Sequence, residues 1–254
     1  ASAGLAFLFR PDFSKVTFET ILVAMGLAFF KLSIGMGCMI TYGSYYRDDQ
    51  NIPLTASRVV FADLAVSLLA GIAIFPAVFA FGFEPTAGPS LLFITSPAVF
   101  SSMPLGNIFM VIFFLLTAIA SIGAQLSLLE VIAAFLEGRF KLSRVKATLL
   151  TIVPLAIVGV PAALSNNLMA DVKIFGLTFF DLYDFGSSNI LLPLGGLFLA
   201  IFAGWVWGLS RFQSALSNEG KIQNGRFTRT IFFILKFITP VLVLVILLSG
   251  LKLI

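Results

Sequence analysis

The feature that most constrains this chain is an apolar run from about Ile21 to Tyr46 with a polar break at its centre. At about 1.5 Å of rise per residue, such a run is long enough to cross a bilayer as a helix. Its middle, Phe29-Phe30-Lys31-Leu32-Ser33-Ile34-Gly35-Met36-Gly37, carries a lysine, a serine and two glycines. Glycine weakens a helix, and a lysine at membrane depth costs about 3 kcal/mol or more unless it finds a partner or water. Interrupted helices at that depth are tolerated where they line a cavity. Two readings stand side by side. One is a broken transmembrane helix whose break forms a binding site, as in secondary transporters. The other is a kinked span with a snorkelling lysine.

The rest of the chain supports a membrane setting. Of 254 residues, 59% are hydrophobic and only 11% charged, with 29 phenylalanines. That composition fits an all-α polytopic membrane protein rather than a soluble core. There is no histidine, which removes the commonest metal ligand and the default proton shuttle. The one cysteine, Cys38, cannot form a disulfide within the chain and reads as a small packing residue. No zinc or iron–sulfur spacing, nucleophile–base pair or phosphate-binding glycine loop is evident, so neither an enzyme nor a cofactor is expected, and no nucleic-acid partner.

About six spans are predicted. The first is about 16–46, broken near Lys31–Gly35, after an outer loop over 1–15. A polar loop, 47–57, precedes a second span at about 58–81 with Pro76 late in it. The stretch 82–104 holds Pro85, Gly88, Pro89, Pro97 and Pro104. It is too long and apolar for a turn, and 91–94 and 98–102 read as short helical pieces of a lid, separated at Pro97. A third span at about 105–137 is followed by a basic turn, 138–143. The fourth is about 144–164. After a mixed loop, 165–181, the fifth runs over about 182–213, opening with Asp184, with a kink at Pro193-Leu194-Gly195-Gly196. A polar loop, 214–226, leads to a sixth at about 227–251.

Lysine and arginine placement sets the expected orientation. Arg47 and Arg58, then Arg139, Lys141, Arg144 and Lys146, then Arg211, Lys221, Arg226 and Arg229 follow spans one, three and five. Those loops are therefore expected to be cytoplasmic, in a multi-pass protein of the cell membrane. The termini would face outward. An outward amino terminus without a signal peptide is expected where an odd number of spans precedes it, so the first half of the protein is expected to be missing from this sequence.

Several stretches resemble the neurotransmitter:sodium symporter family, especially its bacterial amino-acid transporters. They are Pro11-Asp12-Phe13-Ser14-Lys15, Ala28 through Gly37, Ile40-Thr41-Tyr42-Gly43-Ser44-Tyr45, Ala70 through Phe79, Phe93 through Phe100, Ser127-Leu128-Leu129-Glu130, and Asp184-Phe185 through Gly196. They run in family order over nearly the whole chain. The resemblance implies a leucine-transporter-type fold in which 16–213 form the second, inverted five-helix repeat and 227–251 one further helix, with the first repeat absent. It also implies secondary active transport of an amino acid or amine, driven by sodium and in some members assisted by chloride, with substrate held between two broken helices.

The resemblance assigns residues to that site. The backbone carbonyls of Phe30, Lys31 and Ser33, freed at the break, would accept bonds from a substrate ammonium. Phe30 would be the aromatic lid over the substrate and Met36 a pocket wall. Gln125 would face a polar ligand and Leu128 complete an apolar wall. Asp184 would be the outer-gate carboxylate, with a helix N-terminal acid as the bland reading. Tyr45 would belong to the inner gate. Gly138 stands where that gate often has an aspartate, and the neighbouring Glu137 is a substitute. Glu130 reads as structural, and Asp63 and Lys236 have no assigned place.

Three ion-site departures agree. Lys31 stands where the family usually has a hydroxyl at the first sodium site, and Ala62 where an asparagine often contributes. Gly123 and Ala124 replace the hydroxyl pair of the second site, where Ala120 still offers a carbonyl. Leu27 and Val66 replace side chains of the chloride site. No chloride site is therefore expected, and ordinary coupling to two sodium ions is not. Lys31 could stand in for one sodium and exchange a proton, leaving sodium coupling and proton-linked transport both open. A degenerate, non-transporting scaffold is the alternative function. The retained break, lid and Asp184 argue against it.

Overall fold

The computed structural model describes residues 2–47, 50–84, 88, 91–251 and 253. Among them there is no β-strand, only an isolated antiparallel bridge between Ile174 and Leu177. Five helices are long and apolar enough to cross a membrane: Ile52–Ala80, Gly106–Phe140, Arg144–Leu164, Phe179–Leu216 and Gly225–Gly250. These are the second to sixth spans. The first span is present in two pieces, Phe18–Lys31 and Cys38–Ser44. The spans are apolar on every side, as lipid-facing helices are, and side chains such as Phe61, Val66, Leu69 and Val111 stand exposed on them.

Span ends differ from the sequence reading by a few residues, with physical reasons. The fourth span has the expected bounds because Lys141 and Ser143 break the apolar pattern cleanly before it. The second begins at Ile52, earlier than expected, with Asn51 Oδ1 accepting from the Leu54 N–H. The third runs on to Phe140, which leaves only 141–143 as the turn. The fifth begins at Phe179. Thr178 caps it by accepting from the Asp181 N–H at 3.2 Å, and the Ser165 hydroxyl accepts from the Phe180 N–H at 2.9 Å.

The chain forms two compact units. The first holds 1–17 and 56–125. Its opening residues, expected to be loop, contain the helix Ser2–Phe9 and a 3₁₀ turn, Phe13–Lys15. The helix rests on the second span beside Pro76. A β-carbon on Gly4 would lie 2.5 Å from the Pro76 Cα, and the Phe7 ring sits 5.1 Å from Phe75 and 5.4 Å from Phe79. The lid is helical over Leu91–Ser101. Pro97 does not divide it, as the sequence reading had it. This proline sits where the π-helical turn Leu91–Thr95 passes into the α-helix Ser96–Ser101, with Thr95 helical at φ −69° and ψ −45°, so the chain stays helical through it at the loss of one N–H bond. Pro85 and Pro89 lie outside the described residues.

The second unit holds 18–55 and 126–254. The fifth and sixth spans pack closely there. Gly204 lies against Lys236, whose ammonium sits over the rings of Trp205 at 5.6 Å and Phe237 at 5.5 Å. This gives the unassigned Lys236 an aromatic surround, a favourable setting for a cation in an apolar span. Gly250 meets Asn189, and Phe212 packs on Phe232 at 5.4 Å.

Candidate functional site

The break is shaped by a helix end that closes on itself. Ser33 adopts φ 53°, and its N–H reaches the Phe30 carbonyl at 3.1 Å. The Ile34 N–H reaches the Phe29 carbonyl at 3.0 Å. These two bonds form a Schellman motif with serine in the left-handed position that glycine usually takes. The Phe30 carbonyl, expected to accept from a ligand, accepts from the Ser33 N–H and keeps a second lone pair for a further donor. Lys31 is the last residue of the half-helix and is exposed, so its charge lies by the negative end of the helix dipole.

Beyond Ser33 the chain turns twice more, at Gly35 with φ 89° and Gly37 with φ 85°, before helix resumes at Cys38. Only glycine takes these values without strain. Gly35 has a second constraint. Its backbone lies against the fifth span, and a β-carbon there would be 2.5 Å from the Leu192 carbonyl oxygen and 2.9 Å from the Gly196 nitrogen. A β-carbon on Gly196 would be 2.6 Å from the Phe29 ring. Gly195-Gly196, read from sequence as a kink, is therefore the bare surface that receives the break.

The second half-helix is held by a different element. Tyr42 donates to the Ser127 hydroxyl at 2.6 Å, and Tyr45 donates to the Glu130 carboxylate. Tyr42 and Tyr45 are three residues apart, as are Ser127 and Glu130, so one face of the half-helix matches one face of the third span. Cys38 is buried between them, and a β-carbon on Gly37 would touch Val131 at 3.1 Å. Arg144 completes the cluster, ion-paired to Glu130 and reaching Glu137 at 3.3 Å. From sequence, Tyr45 and Glu137 are expected near an inner gate and Glu130 as a structural residue. The spacing of seven between Glu130 and Glu137, on one helix face ahead of Arg144, is the signal that joins them.

The remaining predicted positions divide between the units. Phe30, exposed, and Met36, half-buried, flank the break, and Leu128 lies on the third span next to Ser127. All three are in the second unit. Ala62, Ala120, Gly123, Ala124 and Gln125 belong to the first unit, on the second and third spans, and all are exposed. Asp184 is exposed in the second turn of the fifth span, where it accepts from the Ser188 hydroxyl at 3.2 Å. The role of helix N-terminal acid passes to Asp181, whose carboxylate also accepts from the Thr178 hydroxyl at 2.7 Å. Among the described residues no cluster of His, Cys, Asp and Glu could hold a metal ion.

A profile of the sodium:neurotransmitter symporter family matches residues 1–254. The chain is 39% identical over 249 residues to the uncharacterized sodium-dependent transporter YhdH of Bacillus subtilis, covering 98% of this chain and 55% of that protein. It is 38% identical over 252 residues to an uncharacterized sodium-dependent transporter of Haemophilus influenzae, covering 99% and 54%. The crystal structure of MhsT in complex with L-phenylalanine matches with a TM-score of 0.85 at 40% identity, over 98% of this chain and 56% of that one. The chain spans about half the length of the relatives it matches.

Proposed function

Because the chain belongs to the sodium:neurotransmitter symporter family, we propose that it forms part of a secondary active transporter for an amino acid or related amine. Its fold is of the leucine-transporter type: an all-α, multi-pass membrane protein with a broken first span, four further repeat helices and one additional span. The observation that carries the functional reading is how the break is anchored. Its start is seated on the fifth span through Gly35, Leu192 and Gly196, and the half-helix after it is pinned to the third span through Tyr42 and Tyr45. Two half-helices fixed to different supports can move separately, as alternating access requires. Phe30, Met36 and Leu128 supply apolar wall, and the carbonyls of Lys31 and Ser33 supply acceptors for an ammonium. Tyr45 with Glu130, Arg144 and Glu137 closes the side expected to be cytoplasmic, and Asp184 the other.

Sodium is the co-transported ion of the reading, and here its side-chain ligands are depleted. Lys31, Ala62, Gly123 and Ala124 offer no neutral oxygen from their side chains, and a sodium ion needs several oxygens. Lys31 ends a half-helix, where the dipole favours a cation. Its ammonium therefore takes the place of one sodium in this proposal, and transport needs at most one sodium or exchanges a proton. The test is thermal unfolding of the intact protein against a panel of amino acids and amines, in sodium and in choline. Stabilisation by one amino-acid class, with weak sodium dependence that strengthens in Lys31→Ser, is the expected result. No shift with any amino acid or amine in either salt would overturn transport. Binding that is strictly dependent on two sodium ions in the wild type would overturn the built-in cation.

A further inference from the structure

Within the second unit, a cavity of about 420 Å³ opens where the first span ends and the fifth span ends. Its wall includes Tyr46 and Arg47 from one side and Trp207, Arg211, Asn218 and Glu219 from the other. Its volume is in the range of small-molecule sites, about 300–1,000 Å³. Among the described residues, neither Arg47 nor Arg211 has an ion-pair partner. Both arginines line this one cavity, so their like charges oppose each other there, and an anion between them relieves that while using donors that no described protein group takes.

The depth of the cavity identifies the anion. The fifth span turns at Gly208, with φ 82° and ψ 167°, and its helical stretch before that turn, from Phe179 to Trp207, is about 43 Å long at the usual rise, against a hydrocarbon core of about 30 Å. The polar stretch after that turn, with Arg211, Asn218 and Glu219, therefore belongs to the headgroup layer rather than the hydrocarbon. Trp207 and Tyr46 at this cavity are the residue types that settle at that boundary, and arginine beside them is the usual partner for a lipid phosphate. Charge narrows the class. Two arginines against Glu219 leave a surplus of one positive charge in the wall, which matches a singly charged phosphodiester better than a phosphomonoester. Asp48 and Asp49, which follow Arg47, lie outside the described residues.

We propose that this cavity binds the phosphodiester headgroup of an anionic phospholipid, clamped between Arg47 and Arg211. The site lies at the far end of the first span, away from the break itself, and does not depend on the transport reading. It rests on the chain spanning a membrane, and it predicts that lipid composition acts on the ends of spans one and five.

The test uses the intact protein in a neutral detergent, titrated with phosphatidylglycerol, phosphatidylcholine and inorganic phosphate, read by native mass spectrometry and thermal unfolding. Phosphatidylglycerol is expected to bind and raise Tm, and phosphatidylcholine to do neither. The Arg47→Gln, Arg211→Gln double variant is expected to weaken phosphatidylglycerol binding by about tenfold or more, the scale of lost charge-assisted hydrogen bonds. Equal binding by the double variant overturns the proposal. Inorganic phosphate saturating at the same concentration as the lipid assigns the cavity to a soluble phosphate and overturns the lipid source. If the double variant does not fold, Glu219→Gln decides. Tighter phosphatidylglycerol binding supports the clamp, and unchanged or weaker binding overturns it.

Discussion

Gly35 and Leu192 meet backbone to backbone: a β-carbon on Gly35 would lie 2.5 Å from the Leu192 carbonyl oxygen. The contact joins residues 157 positions apart (192 − 35) and seats the break on the fifth span. The partner surface is equally tight, since a β-carbon on Gly195 would press on the Gly35 carbonyl. Gly195→Ala has no positive φ to excuse its effect, so it tests the close approach alone. We expect it to destabilise by about 3 kcal/mol or more, the upper range for overpacking, because backbone cannot yield as a side chain does. Thermal unfolding of the intact protein checks this, with Gly186→Ala, where a β-carbon meets nothing within 4 Å, as the control.

Ser33 holds a left-handed φ of 53° without being glycine. That conformation costs an L-residue about 1–2 kcal/mol, and a β-branched one more. Ser33→Val is therefore expected to destabilise the break. Ser33→Gly is expected to be neutral or stabilising by up to about 1 kcal/mol in unfolding measurements. A Ser33→Gly variant that unfolds as early as Ser33→Val would show that the hydroxyl, not the backbone, decides this position.

How much of this was legible beforehand depends on range. The break was, because Lys31, Ser33, Gly35 and Gly37 interrupt an apolar run locally. The fourth span was, because polar residues flank it closely. The helix Ser2–Phe9 was not. It is short and uncharged, and what orders it is Pro76 and its neighbours, some seventy residues away. Gly195-Gly196 suggested a kink because a glycine pair weakens a helix, and nothing near it in sequence reveals the partner. Glu130 was visible as a charge in an apolar helix, but its partners come from Tyr45, 85 residues before it, and Arg144, 14 after it.

The Glu130 cluster carries its own prediction. Glu130 is 19% exposed at its side chain, whereas Glu137 is 44% exposed, and both face Arg144. The half-exposed pair is screened and worth a few tenths of a kcal/mol. Glu130 accepts from both Tyr45 and Arg144, and charged hydrogen bonds of that kind are worth about 1.5–3 kcal/mol before the discount for Arg144's exposure. Glu137→Gln is therefore expected to change stability by less than about 0.5 kcal/mol and Glu130→Gln by about 1–2 kcal/mol. In a double-mutant cycle, Tyr45→Phe and Glu130→Gln should couple, while Tyr45→Phe and Glu137→Gln should add.

Cys38 is 2% exposed, with its sulfur 3.9 Å from the Ser127 carbonyl oxygen. Burial between the second half-helix and the third span shields it from reagents. As the chain's one cysteine, it reports on whether that contact opens. N-ethylmaleimide is expected to label the folded protein far more slowly than the unfolded protein. Tyr42→Phe with Tyr45→Phe removes both hydroxyl bonds to the third span and should speed labelling without unfolding the protein. Labelling at the unfolded rate in the wild type would refute the docking of this half-helix.

Asp12 gives a pH-dependent prediction outside the spans. The Ser14 hydroxyl and N–H bond its carboxylate, with Lys15 at 3.6 Å, and these hold its pKa below the ordinary aspartate value. A carboxyl with a lowered folded pKa contributes order that is fully present above its unfolded value and is lost as pH falls through the folded one. Because the group is exposed, the effect is local, confined to the turn Phe13–Lys15 that Asp12 caps. Hydrogen exchange at the Ser14 amide should therefore show protection near pH 6 that fades below about pH 4. Asp12→Ala, which removes the acceptor, should lack protection at both values. Protection that persists unchanged at low pH in the wild type would mean that the backbone bonds of the turn, not the carboxylate, hold it.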